Sequence, residues 1–413
     1  MAAGGGGKAL LAEGEAVPSE WSDISAFAEY QGLRAQIDAM ESGGLTIPYL
    51  RELKPGSTEV NYNTYNYLGL AKLEEVKEAS VAAVVTYGTS MSSSPIVGQP
   101  SVNVQLEQEL VSFMGTEAAV VFIGGWQANV TTIDVLVGPG DLVLCDTLNH
   151  NCCVVGQKLS GATIMPFPHN DFKQADKILT SVRRQFRRVL IVIEGVYSMD
   201  GDIPDLPAFV ALKKKHSALL YVDEAHSLGT LGATGHGICE HFGVAPTEVD
   251  VLMGTLSKAM GSCGGFIAGS KALVELLKFT AGGFVFSCGA TPAAAAAALT
   301  ALRVLQREPE RVTALRARAR LFTRLAAELG LDTGRTMDGA PVIPVVIGGS
   351  HKCVALSQVL AEQDGINVKP IVYPAVEENQ ARLRFFMSYL HTEEQIEHTV
   401  RSVARRLAEA NKK

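Results

Sequence analysis

Lys258 stands in the stretch VDVLMGTLSKAMGSCGG (249–265), where a mostly apolar run leads into Thr255-Leu256-Ser257-Lys258 and small residues follow. A lysine lodged among small residues and partly desolvated has its pKa lowered and can form a Schiff base with an aldehyde. Four further apolar runs end in polar groups. AAVVFIGG (118–125) delivers Gly124-Gly125 and then Trp126, and DLVLCD (141–146) delivers Asp146 with His150 just beyond. RVLIVIEG (188–195) delivers Glu194 with Ser198, and ALLYVDEA (218–225) delivers Asp223 with His226.

Each group has a task around an aromatic aldehyde phosphate. Asp223, ending an apolar run, is costly unless paired with a cation. A protonated pyridine nitrogen is such a cation, and the carboxylate keeps that ring electron-withdrawing. Gly124-Gly125, ahead of a helix starting near Gln127, exposes backbone N–H groups suited to a phosphate. His150 or Trp126 is suited to stack on the ring face, and Ser198 and His226 to hydrogen-bond a ring hydroxyl. Each residue alone has a plainer reading: a surface lysine, a loop or core histidine, a core tryptophan, a turn serine in Ser-Met-Asp-Gly. Polar groups delivered by five runs in succession are what those separate readings leave unexplained.

The elements that position these groups follow from periodicity. From about residue 60, short β-branched apolar runs alternate with amphipathic stretches such as 204–215, which predicts a parallel or mixed sheet covered on both faces. In such sheets ligands bind beyond the carboxyl ends of the strands. GGFIAGS (264–270) adds a short strand, and after Pro292 the chain reads as helical to about 330. PVIPVVIGG (341–349), a helix near 352–363, the strand ARLRFFMSYL (381–390) and a helix from Glu393 predict a smaller C-terminal α+β domain. Residues 19–54 carry helical periodicity ending at Gly43-Gly44, followed by a Pro-containing connection. The organisation expected is a leader and helical arm (1–59), a large cofactor-binding domain (60–298) and a small domain (299–413).

Composition narrows the function. Of 413 residues, 47% are hydrophobic and 19% charged, which suits a soluble globular protein with a substantial core. A net charge of −7 gives no basic footprint for nucleic acid or an anionic membrane. Seven cysteines without metal-ligand spacing suit a reducing cytoplasm, and no metal is expected. The Gly/Ala-rich N-terminus has no apolar core of a secretory signal and reads as a disordered leader or the edge of an excised domain. The longest uncharged run, Phe279 to Leu302, contains Pro292 and reads as a loop entering a buried helix, not a membrane span. Asp223-Glu224-Ala225-His226 spells DEAH, the look of a helicase metal strand, but no GxxxxGK[ST] phosphate loop accompanies it. No GxGxxG follows an early strand either.

From about residue 60 onward the chain resembles the α-oxoamine synthases, pyridoxal-phosphate enzymes of aspartate-aminotransferase-like fold type I. The resemblance rests on NYLGLA (66–71), DTLNHN (146–151), EGVYSMDGD (194–202), VDEAHSLGTLGATGHG (222–237), GTLSKAMGSCGG (254–265) and ARLRFFMSYLHT (381–392). It implies a decarboxylative Claisen condensation of an amino acid with an acyl thioester, giving an α-amino ketone. It implies Lys258 as the Schiff-base lysine and Asp223 as partner of the pyridine nitrogen. It also implies His150 stacked on the ring of pyridoxal 5'-phosphate (PLP), with Ser198 and His226 near its hydroxyl. Gly125 and Trp126 meet the phosphate through backbone groups, Thr255 through its hydroxyl, and Ser287 completes that site across a homodimer. Asn66 is expected near the substrate. Arg384 is expected on the amino-acid carboxylate, with Arg382, two residues away on the same strand face, in reserve. His150 and His226 are further expected to donate to the carbonyl oxygen as its charge develops.

Two departures touch the substrate entrance. The stretch SMSSSPIVG (90–98) lacks an arginine or histidine usual in relatives, and Asn103 stands where a histidine is common. AFAEYQGLRAQIDAMESGGLTIPYL (26–50) resembles the leader of such domains fused to polyketide-type assembly lines, which sets an acyl-carrier protein beside CoA as the acyl carrier. The rival readings are another fold type I enzyme, an aminotransferase or lyase, and a non-catalytic binding domain.

Overall fold

The computed structural model describes residues 19–42 and 58–412. The expected leader and the Pro-containing connection lie outside them. The chain divides into two compact units, Met1–Ser57 and Thr58–Lys413. In the first, the expected helical periodicity forms Ala28–Ser42, which buries none of its residues and carries an Arg34 Nε to Asp38 hydrogen bond of 2.8 Å.

Among the described residues the second unit holds twelve strands. They are β1 (Val60–Asn61), β2 (Ala118–Phe122), β3 (Leu142–Asp146), β4 (Thr163–Phe167), β5 (Val189–Glu194) and β6 (Leu219–Asp223). There follow β7 (Val251–Thr255), β8 (Gly265–Gly269), β9 (Val342–Gly348), β10 (Ile366–Asn367), β11 (Lys369–Ile371) and β12 (Ala381–Phe386). Seven form one sheet in the order β2-β8-β7-β6-β5-β3-β4. Here β8 runs antiparallel to β2 and β7, and the other pairs are parallel. This is the expected α/β architecture with a mostly parallel mixed sheet.

The continuous apolar runs are explained by burial on both faces. Along β5, Val189, Ile191 and Ile193 enter one core while Leu190 and Val192 enter the other. Fully burying one such side chain stabilises by about 1.5–3 kcal/mol. The same alternation sorts β6: Leu220 and Val222 face the first core, Tyr221 the second. Asp223, two residues beyond Tyr221, therefore shares Tyr221's face. That face is covered by helices Gly125–Leu136 and Asn151–Ser160, whose Ala128, Ile133, Cys152 and Cys153 belong to the second core.

β4 was not foreseen. Its sequence TIMPF contains a proline, which is tolerated because β4 is an edge strand pairing only with β3. The single long helix expected after Pro292 is two, Pro292–Arg307 and Glu310–Glu328, broken at Pro309.

A second sheet, ordered β11-β12-β9 and antiparallel, carries Arg382 and Arg384 on β12. The expected strand over 381–390 ends at Phe386. The stretch after β1 is stitched to its end: Phe386 N–H donates to Tyr62 O at 3.0 Å and Tyr389 N–H to Tyr67 O at 2.7 Å. Thr392 and Gln395 then form a capping box that starts helix Glu393–Ala410.

Candidate active site

Asp223 ends β6 in the second core, 4% exposed, where an unsupported carboxylate is costly. Asn129 Nδ2 donates to its Oδ2 at 2.8 Å, and the Ala225 N–H donates to Oδ1 at 2.9 Å. Asn129 is itself fixed, because its Oδ1 accepts the buried Tyr221 hydroxyl at 2.7 Å. Among the described residues Asp223 forms no ion pair. It is a buried carboxylate oriented by two hydrogen bonds and able to meet a cationic group of a ligand.

Lys258 follows β7. Its Nζ lies 2.8 Å from His226 Nε2, and the Tyr67 hydroxyl lies 2.7 Å from Nδ1 of the same ring. Burial lowers the lysine pKa, although Asp223 and Glu194 oppose the shift. Burial, then the charges of Lys258 and Arg384, hold His226 well below the usual histidine range. The imidazole is thus neutral, with both nitrogens engaged, and its first effect is to orient the lysine amine. Lys258 Nζ also sits over the Tyr65 ring, 5.6 Å from its centroid. A cleft of about 530 Å³ opens beside it, lined among others by Tyr65, Asn66, Ser257 and Ser388.

One end of the site is built to receive an anion. Helix Gly125–Leu136 begins at Gly124-Gly125 with no side-chain cap, which leaves its first N–H groups without intrahelical acceptors. A Cβ on Gly125 would come 3.0 Å from Thr255 Oγ1, so glycine lets the helix start approach the strand end. Gly265 is tighter still, since a Cβ there would lie 2.4 Å from Gly125 Cα. Thr255 Oγ1 and Ser257 Oγ, 2.8 Å apart, place two hydroxyls beside that helix start, that of Thr255 also within reach of the Gly264 carbonyl at 3.1 Å. Trp126 follows, half-exposed at 51%.

His150 caps helix Asn151–Ser160, its Nδ1 accepting from Cys152 N–H at 3.2 Å and lying 2.8 Å from Cys152 Sγ. Its hydrogen bond with Cys152 raises the His150 pKa against the effect of burial. The His150 N–H donates to Glu194 Oε1 at 2.5 Å. Burial, and then the neighbouring Asp223 charge, push the Glu194 carboxyl well above its ordinary range. The His150 residue is exposed, as a ring that covers a bound planar group must be. Beneath, Cys152, Cys153 and Asp223 offer ligand atoms within 4.8 Å of one another. Adjacent cysteines and an aspartate 70 positions on gave no spacing signal of that grouping.

The remaining expected residues differ in how closely they gather. Arg384 Nη1 donates to Ser198 O at 3.1 Å and its guanidinium stacks over Phe386, 4.7 Å from the ring centroid. Arg382 is committed elsewhere, its Nη1 2.6 Å from Asp200 Oδ1, with both side chains largely buried. Asn66 accepts the Ala71 N–H at 3.2 Å, and its carbonyl accepts the Ser388 hydroxyl at 2.8 Å. Ser198 is half-buried in its turn. Ser287, between the exposed Phe286 and Cys288, makes no side-chain hydrogen bond among the described residues. Asn103 is buried and donates to Ala290 O at 2.8 Å, tying its helix to that same segment. Sequence reasoning missed Asn129, Tyr67 and the part played by Glu194. Asn129 lies one helical turn from Gly125, and Tyr67 lies inside NYLGLA, so both carried a positional signal.

These residues fit pyridoxal phosphate: a buried amine with a lowered pKa, a buried carboxylate that forms no ion pair among the described residues, an exposed imidazole at a helix start, and an uncapped helix N-terminus beside two hydroxyls. Residues 57–403 match the family model described as aminotransferase class I and II. An 8-amino-7-oxononanoate synthase of Symbiobacterium thermophilum is 39% identical over 380 residues, 90% of this chain and 96% of that protein. A serine palmitoyltransferase of Bacteroides thetaiotaomicron is 36% identical over 87% of this chain and 92% of its own length. The solved serine palmitoyltransferase of Sphingomonas wittichii superposes with a TM-score of 0.89 at 30% identity, covering 94% of this chain and 99% of that one. The chain therefore belongs to the class I and II aminotransferase family and, within it, to the α-oxoamine synthases, pyridoxal-phosphate enzymes of type I fold.

Proposed function

We propose that this protein condenses an amino acid with an acyl thioester, carried by CoA or an acyl-carrier protein, with loss of the amino-acid carboxylate to give an α-amino ketone. The observation that carries the reading is Lys258 Nζ held 2.8 Å from neutral His226, with a buried Asp223 carboxylate oriented by Asn129 that forms no ion pair among the described residues. When bound, the cofactor supplies an electron sink for negative charge at the amino-acid Cα.

The chain's own groups do the rest. Lys258, its pKa lowered by burial and its amine aimed by His226, moves the proton at the substrate Cα. Asp223, fixed by Asn129, holds a proton at the pyridine nitrogen, and His150 covers the ring. Gly125, Trp126 and Thr255 would hold the phosphate, while Ser198 would serve the ring hydroxyl together with His226, whose Nε2 is shared with Lys258. Arg384 takes the amino-acid carboxylate, with Asn66 nearby. The Asp200 pair of Arg382 favours Arg384 for that task. His150, bearing the raised pKa, is the better donor to a developing oxyanion than His226. A homodimer brings Ser287 to the phosphate site, which the exposed Phe279 and Phe286 beside it support as a contact segment. Seven free cysteines suit the cytoplasm, and no helix among the described residues is long and apolar enough to cross a membrane.

The test is incubation of the PLP-loaded protein with a panel of amino acids and acyl-CoA or acyl-carrier thioesters, detecting carbon dioxide and ketone. Both products are expected only with a thioester present. Amino-acid turnover without one contradicts the reading and favours an aminotransferase or lyase.

A further inference from the structure

His169 lies outside every motif considered so far, yet it sits between two carboxylates. Its Nδ1 is 2.9 Å from Asp146 Oδ1 and its Nε2 is 2.7 Å from Asp202 Oδ2. The three side chains are 8%, 0% and 12% exposed. Two ring nitrogens facing two carboxylates can both donate only when the ring carries both protons. Asn170 repeats the bridge, with its N–H on Asp146 Oδ2 at 2.7 Å and its Nδ2 on Asp202 Oδ2 at 2.8 Å. Tyr197 packs edge-on against the imidazole at 4.5 Å.

The two carboxylates belong to different parts of the site. Asp146 ends β3 and also holds the Leu148 N–H at 2.8 Å, which shapes the loop running to His150. Asp202 closes the turn 198–202, where its carbonyl accepts the Tyr197 N–H at 3.0 Å. The far side of that turn is gripped by β12, through Arg382 on Asp200 and Arg384 on the Ser198 carbonyl. The turn therefore joins the large sheet, which presents His150, to the smaller sheet, which presents Arg384.

We infer that His169 is a positioning residue: as an imidazolium between Asp146 and Asp202, it locks the His150 loop to the Ser198 turn and so sets where Arg384 meets the amino-acid carboxylate. The inference rests on the proposed role of Arg384. His169 touches no substrate; it acts through Asp202, the turn and Ser198 O. Loosening the lock shifts the guanidinium by a fraction of the turn's length, and misplacement of this kind costs from about ten- to a hundredfold in productive binding.

Two measurements test it on the PLP-loaded protein. The first is ¹⁵N NMR of the histidine side chains at about pH 7, with His169 assigned by its loss in His169→Gln. Two protonated nitrogens are expected, and a neutral tautomer overturns the inference. The second is equilibrium binding of the amino acid, followed by cofactor absorbance without thioester, in His169→Gln, Asp202→Asn and Arg384→Lys. Binding is expected to weaken about tenfold in His169→Gln, with the thioester KM unchanged. Asp202→Asn carries the same expectation and decides the matter if His169→Gln does not fold. A lower melting temperature with unchanged amino-acid binding means a merely structural role and overturns the inference. If Arg384→Lys also leaves binding unchanged, the underlying role of Arg384 fails instead.

Discussion

Gly265→Ala should separate a site that needs a close helix approach from one that merely contains a helix. The new Cβ would lie 2.4 Å from Gly125 Cα and 2.7 Å from Gly125 N. Ordinary carbon contacts are about 3.5 Å or longer, so the helix start must retreat by roughly 1 Å. Overpacking of this kind costs about 1–3 kcal/mol, offset by about 0.4–1 kcal/mol from the stiffer unfolded chain. The expected net loss is therefore about 1–2 kcal/mol in denaturant unfolding. The same retreat draws the Gly125 and Trp126 N–H groups from the anion, and each charge-assisted hydrogen bond is worth about 1.5–3 kcal/mol. PLP affinity, titrated into apoprotein by absorbance, should fall by about ten- to a hundredfold. Gly32→Ala is the control, because its Cβ meets nothing within 4 Å and the residue lies inside helix Ala28–Ser42. A Gly265→Ala protein that binds PLP as tightly as the parent refutes the reasoning.

Arg384→Ala should raise the amino-acid KM by about a hundredfold, whereas Arg382→Ala strands the buried Asp200 and should cost about 3 kcal/mol of stability; steady-state kinetics and urea melts distinguish them. Asn129→Ala frees the Asp223 carboxylate and leaves the buried Tyr221 hydroxyl without its acceptor, so unfolding should show a loss of about 2 kcal/mol and PLP titration a weaker complex. Burial alone would lower the His169 pKa, but the hydrogen bonds to Asp146 and Asp202 outweigh it and raise it to about 9. With an ordinary value near 6.5, the stabilisation is fully present below about pH 6.5 and lost as pH rises through about 9, roughly 3 kcal/mol in all. The stability gap between the parent and His169→Gln, measured by denaturant melts across that range, should close toward the alkaline end.

The sheet was legible because its strands are apolar on both faces, so each run announced itself and its last residue pointed to the edge where ligands bind. Edge strand β4 did not, since a strand paired on one side only admits Pro166 and loses its signature. Lys258, Asp223, His150 and His226 were legible as polar residues where apolar runs stop. What joins them was not. The Asn129–Asp223 bond spans 94 positions and the Tyr67–His226 bond 159; position marks Asn129 and Tyr67 as near the site, but no local pattern pairs them with those partners. Parity supplies part of the answer afterwards: Tyr221 and Asp223 share a face, so the helix over that face must supply the acceptor and donor that Asn129 provides. Arg382 and Arg384 share a strand face as expected, and long-range partners separate them, Asp200 for Arg382 and the Ser198 carbonyl for Arg384.

The central claim is that Lys258 is the residue that binds the cofactor covalently. Borohydride reduction of the PLP-loaded protein, followed by peptide mass mapping, tests it directly. The account predicts a pyridoxyl-phosphate adduct on Lys258 and no yellow absorbance in Lys258→Ala. An adduct on another lysine, or a Lys258→Ala protein that keeps the absorbance, contradicts it.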